Sequence, residues 1–149
     1  MIRVGRELSF AVPRTALWAV LDDPERLAAA LPHVDDLARD GDDVFSATIR
    51  PAIALGEVPF ATEWRRTERT APALLRYEVR GRSAEHLLRL DADLWLADAD
   101  GGGTRLRWEA ECGFTGVMRS VGQRTLAAIV VHQAELVLHA AAGAASDAD

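Results

Sequence analysis

The sequence predicts an α+β fold: one curved antiparallel sheet of about seven strands wrapped around a long C-terminal helix, with two short helices after the first strand. Three patterns lead there. Apolar and polar residues alternate with period two through most of residues 34–112, as strands with one buried face require. From Val117 to about Ala141 the period becomes helical. Between residues 13 and 32, Pro and Asp punctuate the chain into two short helical segments. A sheet with one apolar face needs a cover, and the last helix is the only long amphipathic element to supply it. A bent sheet closed by one helix leaves a space between them, a natural apolar ligand cavity.

The elements follow in order. Leu8, Phe10 and Val12 alternate with Glu7, Ser9 and Ala11, which reads as a strand over about residues 2–12. Pro13 suits the first turn of a helix because its φ is already fixed, and Leu17, Trp18 and Leu21 share one face of that helix. Asp22-Asp23-Pro24 ends it and opens a second, Pro24–Ala30, with Asp23 as N-cap; Leu31-Pro32-His33 closes this one. Asp40-Gly41-Asp42-Asp43 is a hairpin signal. Four strands are then expected, over 44–53, 58–68, 74–82 and 86–96. Their inward registers carry Phe45, Ala47 and Ile49; Val58, Phe60, Thr62, Trp64 and Arg66; Leu75, Tyr77 and Val79; and His86, Leu88 and Leu90, continuing to Leu96. After a Gly-rich turn at 98–103, Leu106, Trp108, Ala110 and Cys112 form the inward side of the last strand, and Gly113 to Gly116 breaks the pattern. On the last helix Met118, Val121, Thr125, Ile129, His132 and Leu136 fall on one face, expected to look onto the sheet. Val130, Val131, Val137 and Leu138 form a second apolar patch, covered either by the first strand and short helices or by a partner such as a second copy in a homodimer. Residues 1–141 thus form a single domain, and the small, acidic residues 142–149 are expected to fray.

Composition removes several function classes. The 149 residues are 49% hydrophobic, with 17 basic and 23 acidic side chains and a net charge of −6. A chain of this length buries a core without disulfides or a structural metal. The lone Cys112 excludes an intrachain disulfide and a cysteine zinc cluster, and on the apolar register it reads as a small buried hydrophobe. The acidic balance argues against nucleic acid as a partner. No apolar run is expected to approach the roughly 20 residues of a membrane span, so no integral membrane segment is expected. Met1 to Arg6 lacks a signal-peptide core, so a cytoplasmic location is expected. Every basic residue is Arg, so no lysine is available for a Schiff base or a P-loop. There is no Gly-x-Ser-x-Gly elbow and no His-Glu-x-x-His. Gly101-Gly102-Gly103-Thr104 follows a strand but opens no helix, so it reads as a hairpin turn. His132 and His139 lie two helical turns apart, about 10 Å, too far to share a metal. The sequence therefore nominates no metal site, no cofactor and no catalytic set.

The order of elements is similar to the helix-grip fold of the START/birch-allergen (SRPBCC) superfamily. Phe10-Ala11-Val12-Pro13, then Leu17-Trp18 and Leu21-Asp22-Asp23-Pro24, resemble that family's opening strand and first helix. Leu27 to Val34 resembles the segment leading to the second strand, with His33 where relatives often have Gly. Gly103-Thr104-Arg105-Leu106 with Trp108 resembles the Gly-Thr-Arg-Leu strand near the end, and Gly116 and Gly122 resemble the glycines that open the last helix. Together these resemble the branch formed by CoxG, the carbon monoxide dehydrogenase accessory protein. The resemblance implies an apolar small-molecule ligand (a lipid, sterol, polyketide or quinone) and, for this branch, a link to a molybdenum redox enzyme and transient contact with a membrane.

Residues on the inward registers are the candidate cavity lining: Phe45, Ile49, Phe60, Thr62, Trp64, Arg66, Tyr77, Val79, His86, Leu88 and Leu90 from the strands, and Met118, Val121, Thr125 and Ile129 from the helix. Trp64 and Tyr77 are either plain core or flat pocket walls with a polar tip. Arg66 is either a solvated strand end or a guanidinium at the cavity mouth holding a ligand oxygen. His86 and His33 are either strand-end and loop histidines or polar groups at the entrance. Three functions fit: a non-enzymatic binder of an apolar molecule, acting as carrier or accessory factor for a redox enzyme; a polyketide cyclase/dehydrase-type enzyme using His86 and Tyr77 as acid and base; and an assembly subunit with a filled core.

Overall fold

The structure is a computed structural model and describes residues 2–31, 34–50, 52–53, 56–57, 59–83, 86–115 and 122–147. Strand β1 (Ile2–Phe10) leads into helices α1 (Arg14–Leu21) and α2 (Pro24–Ala30), then strands β2 (Val34–Arg39) and β3 (Val44–Ile49). Two short strands follow, β4 (Ala52–Ile53) and β5 (Gly56–Glu57). The long strands come next, β6 (Phe60–Thr70), β7 (Leu74–Arg82), β8 (Leu87–Asp98) and β9 (Thr104–Thr115), and the chain ends in helix α3 (Gln123–Asp147). The main sheet has seven strands in the order β1-β9-β8-β7-β6-β3-β2, every neighbour antiparallel, while β4 and β5 pair separately.

Local chemistry accounts for the junctions. Asp23 caps α2: its Oδ1 accepts from the Glu25 and Arg26 N–H groups at 3.0 and 3.4 Å, and Pro24 occupies the first turn. The β8–β9 turn places Gly101 and Gly102 at φ 83° and 87°, where a Cβ is disfavoured. Gly103 has a different reason: a Cβ there would collide with the Phe10 carbonyl oxygen. Beside it the buried Thr104 hydroxyl donates to the Val12 carbonyl at 2.7 Å. The Gly-Gly-Gly-Thr run thus locks the turn onto the end of β1.

The core lies between the inward face of the sheet and the three helices. Leu17, Leu75, Leu106 and Cys112 are fully buried in it, and Trp108 nearly so. Helix α3 rests mainly on α1, α2 and β1, at one edge of the sheet, and not on the middle strands. Leu126, Val130, Leu138, Ala141, Ala142 and Ala145 are its buried residues. Their spacing of three and four residues defines one face.

Several expectations need correction. Strand β1 ends at Phe10, two residues early, because Pro13 caps α1 in extended geometry. Strand β9 continues through Gly113 to Thr115, its partners Leu87, Leu88 and Arg89 holding the ladder past the glycine. Helix α3 runs on to Asp147, and burial of Ala142 and Ala145 makes that last turn part of the fold, not a frayed tail. The inward face of α3 is also different. Thr125, His132 and Leu136 are exposed and Ile129 is half-buried, while Val130 and Leu138, assigned to the second patch, are core. Both stripes are uncharged, so periodicity could not choose between them. The small Ala141, Ala142 and Ala145 decided it by letting the helix approach α1. Met118 and Val121 lie outside the described residues. Finally, Gln123–Ser146 is long and apolar enough to cross a membrane by length and composition, contrary to the expectation that no run approaches a span. The core helix of a soluble fold passes the same test.

Truncation distinguishes the two faces of α3. Leu138→Ala is expected to cost about 3 kcal/mol in urea unfolding, and Leu136→Ala less than about 1 kcal/mol. Equal costs would restore the face read from periodicity.

Candidate functional site

The sheet register assembles the inward side chains into rows. Phe45, Trp64, Val79, Leu90 and Cys112 lie directly opposite one another across β3, β6, β7, β8 and β9. The neighbouring row is Ala47, Thr62, Gly81, Leu88 and Phe114. Ile49 faces Phe60 one step further, and the same parity continues to Ser83 and His86 beyond the paired ends of β7 and β8. The structure therefore brings the strand-borne candidate residues onto one face.

Their burial divides them. Phe45, Phe60, Thr62, Tyr77 and Val79 are buried, whereas Ile49, Trp64, His86, Leu88 and Leu90 are half-buried. Phe114 belongs with the second group. Because α3 sits toward β1, these side chains on the middle strands retain accessible apolar surface on the face that holds the core.

One wall is aromatic and fixed. Phe45 stacks on Trp64 with centroids 5.6 Å apart, and Tyr77 meets both rings edge-on at 6.2 Å. Trp64 Nε1–H donates to the Thr62 hydroxyl oxygen at 2.8 Å, and that hydroxyl donates to the Ala47 carbonyl at 2.6 Å. Every polar atom in this relay has a partner, so the Trp64 plane is oriented from beneath. The Tyr77 hydroxyl donates to the Leu21 carbonyl at 3.0 Å. Burial pushes its phenol up to about 12, against the pull of Arg66. A phenol held that high, with its proton committed to a backbone carbonyl, is poorly suited to acid–base work at neutral pH.

Arg66 departs from the expectation of a ligand-holding guanidinium. Its Nη1 donates to the Asp22 carboxylate at 2.6 Å and to the Asp22 carbonyl at 2.9 Å. Nη2 donates to the Asp42 carbonyl and Nε to the Asp43 carboxylate, both at 2.9 Å. Arg69 grips the two Asp22 oxygens in a fork, at 2.8 and 2.7 Å. Arg66 thus ties the end of α1 to the β2–β3 hairpin, and its side chain is only 10% exposed. The sequence hid this because Asp22 and Asp43 lie 44 and 23 residues away.

Burial alone would raise the Asp22 carboxyl, but the hydrogen bonds and charges of Arg69 and Arg66 outweigh it and hold the group below its ordinary value. Cys112 is the opposite case: burial, with Asp91 and Glu111 adding, pushes its thiol up to about 12, so it is protonated and inert. Among the described residues no group of His, Cys, Asp and Glu is arranged to hold a metal. Sequence reasoning missed Gly81 and Phe114. Phe114 was legible, since it extends the Leu106-to-Cys112 alternation. Gly81 has no periodic signal: it is glycine because a Cβ would press on Leu88 and Thr62 at 3.3 Å. His33 lies outside the described residues, as do Met118 and Val121.

A curved antiparallel sheet holding one long helix at its edge, with two short helices after the first strand, is the helix-grip architecture of START and birch-allergen-type proteins. Solved structures with this fold superimpose closely. A conserved protein from Geobacillus kaustophilus matches with a TM-score of 0.91 at 16% identity, covering 98% of this chain and 96% of that one. A START superfamily protein from Mycobacterium smegmatis gives 0.73 at 11% identity, covering 99% of each chain. Ara h 8.0201 gives 0.70 at 14% identity, covering 97% of each. At these identities the likeness establishes the fold alone. The family comes from the sequence itself: residues 7–141 match CoxG, the G-type subunit of carbon monoxide dehydrogenase, and the chain belongs to that family. No curated protein matches the sequence.

Asp22→Asn removes the charge on which two guanidiniums converge. It is expected to cost about 3 kcal/mol near neutral pH, because a half-buried arginine loses its partner. The folded carboxyl titrates below the ordinary aspartate value, so its contribution is complete above about pH 4 and fades as the pH falls through the folded value. Urea unfolding of both proteins across that range reads the gap. A gap as wide at about pH 2 as at neutrality would contradict the assignment.

Proposed function

We propose that this protein binds an apolar small molecule, a lipid, quinone or similar, against the inward face of its sheet beside α3, and serves as carrier or accessory factor for a redox enzyme. The observation that carries the reading is the accessible apolar surface of Ile49, Trp64, Leu88, Leu90 and Phe114 on a face otherwise sealed as core. Burying such surface contributes roughly 25 cal/mol per Å², and the fixed Phe45–Trp64–Tyr77 wall binds without first being ordered. Membership of the CoxG family and a fold shared with START proteins support the same reading. The redox-enzyme role rests on the family alone.

The cyclase/dehydrase alternative loses support at Tyr77, whose proton is committed to Leu21. His86 remains its candidate group. The assembly-subunit alternative requires a filled interior and meets the same half-buried apolar residues. A cytoplasmic location and a homodimer remain part of the proposal, the dimer through the exposed Leu136 side of α3.

Native mass spectrometry of freshly purified protein is expected to find an apolar passenger, identified after organic extraction. Leu90→Trp fills the accessible space and is expected to lower occupancy at least about fivefold, while Leu136→Trp on the outer side of α3 leaves it unchanged. Equal occupancy in all three proteins would remove the proposed location, and an empty wild-type protein that takes up no added apolar molecule would remove the function.

A further inference from the structure

Resting on this binding reading, we infer that the ligand carries an uncharged oxygen at one end, a ketone, ester or alcohol and not a carboxylate or phosphate, received by Ser83 and His86. Two observations converge. First, Ser83 Oγ and His86 Nδ1 are both buried and have no hydrogen-bond partner among the described residues. They sit in the β7–β8 turn, which the Ser83 N–H closes on the His86 carbonyl at 3.0 Å, and the His86 ring packs against Phe60 with centroids 6.3 Å apart. Their parity places them on the inward face, next to Ile49 and Phe60 at the end of the apolar rows. Buried polar atoms are almost always paired, so two orphans in one turn at the rim of an apolar surface mark the place for a ligand atom.

Second, the charge that would receive an anion is already engaged. Among the described residues Arg66 and Arg69 are the arginines on the inward registers of β3, β6, β7, β8 and β9. Four hydrogen bonds to Asp22, Asp42 and Asp43 hold Arg66, and Arg69 is spent on the two Asp22 oxygens. Arg6, on the inward register of the edge strand opposite Trp108, is exposed and donates to the neighbouring Gly5 carbonyl. The other inward hydroxyls, Thr62, Tyr77 and Thr104, donate to backbone carbonyls. An ionised head entering this face would lose its hydration without meeting a free cation, whereas a neutral oxygen needs only the donors present.

The test is competition against bound diphenylhexatriene, an uncharged fluorophore, at pH 8, above the ordinary titration range of histidine. The competitors are 2-tridecanone, dodecanoate and tridecane, similar in length and differing in the head. The ketone is expected to bind at least about tenfold more tightly than dodecanoate. Ser83→Ala and His86→Phe, each checked for an unchanged thermal midpoint, are expected to weaken the ketone about fivefold and leave tridecane unaltered. Dodecanoate binding as tightly as the ketone would overturn the neutral-head assignment while leaving the binding function standing. A ketone affinity untouched by both substitutions would show that water alone occupies these atoms and would overturn the site. Failure of every probe to bind, the fluorophore included, would overturn both the site and the function beneath it.

Discussion

The Asp22 carboxylate is the point on which the arrangement of layers depends. It stands at the C-terminus of α1, where the last carbonyls of a helix lack internal partners. Two arginines from β6 converge on it, and Arg66 and Tyr77 also donate to the Asp22 and Leu21 carbonyls. Positive charge at a helix C-terminus complements its dipole. A network of this kind is weak evidence for net stability, because desolvation offsets much of the attraction. Its firm consequence is positional: the end of α1 has one seat on the sheet.

That seat sets the position of the other helices. Helix α1 carries Leu17, Trp18, Val20 and Leu21 into the core, and the Ala141, Ala142 and Ala145 end of α3 is small enough to lie close to it. Phe10 adds an edge contact to the His139 ring at 5.3 Å. With α3 thus drawn toward α1 and β1, the middle strands keep apolar side chains partly uncovered. The same ion network that positions the helix also removes Arg66 from ligand chemistry, so a single interaction bears on both the space and its polarity.

Much of this was legible in the sequence because strand periodicity is short-ranged. The strand over 74–82 and the helix over Pro24–Ala30 appear as read, and the inward parity of Phe45, Trp64, Tyr77 and Leu90 followed from period two alone. The family resemblance supplied the topology that local patterns cannot. What the sequence concealed lies in contacts between distant segments. Arg66 looked available until Asp22 and Asp43 were brought beside it. The helix face was ambiguous because alanines, which carry little hydrophobic signal, decide the packing. Ser83 drew no attention, since an unpaired hydroxyl is visible only when its surroundings are known.

The central claim is that an apolar molecule lies against the inward face of the sheet. Intermolecular nuclear Overhauser effects between 2-tridecanone and the methyl- and indole-labelled protein test it most directly. Contacts are predicted from the ligand chain to the Leu88 and Leu90 methyls and the Trp64 ring, with none to Leu136. Contacts confined to Leu136 and the outer side of α3 would contradict the claim and turn the apolar surface of this protein outward.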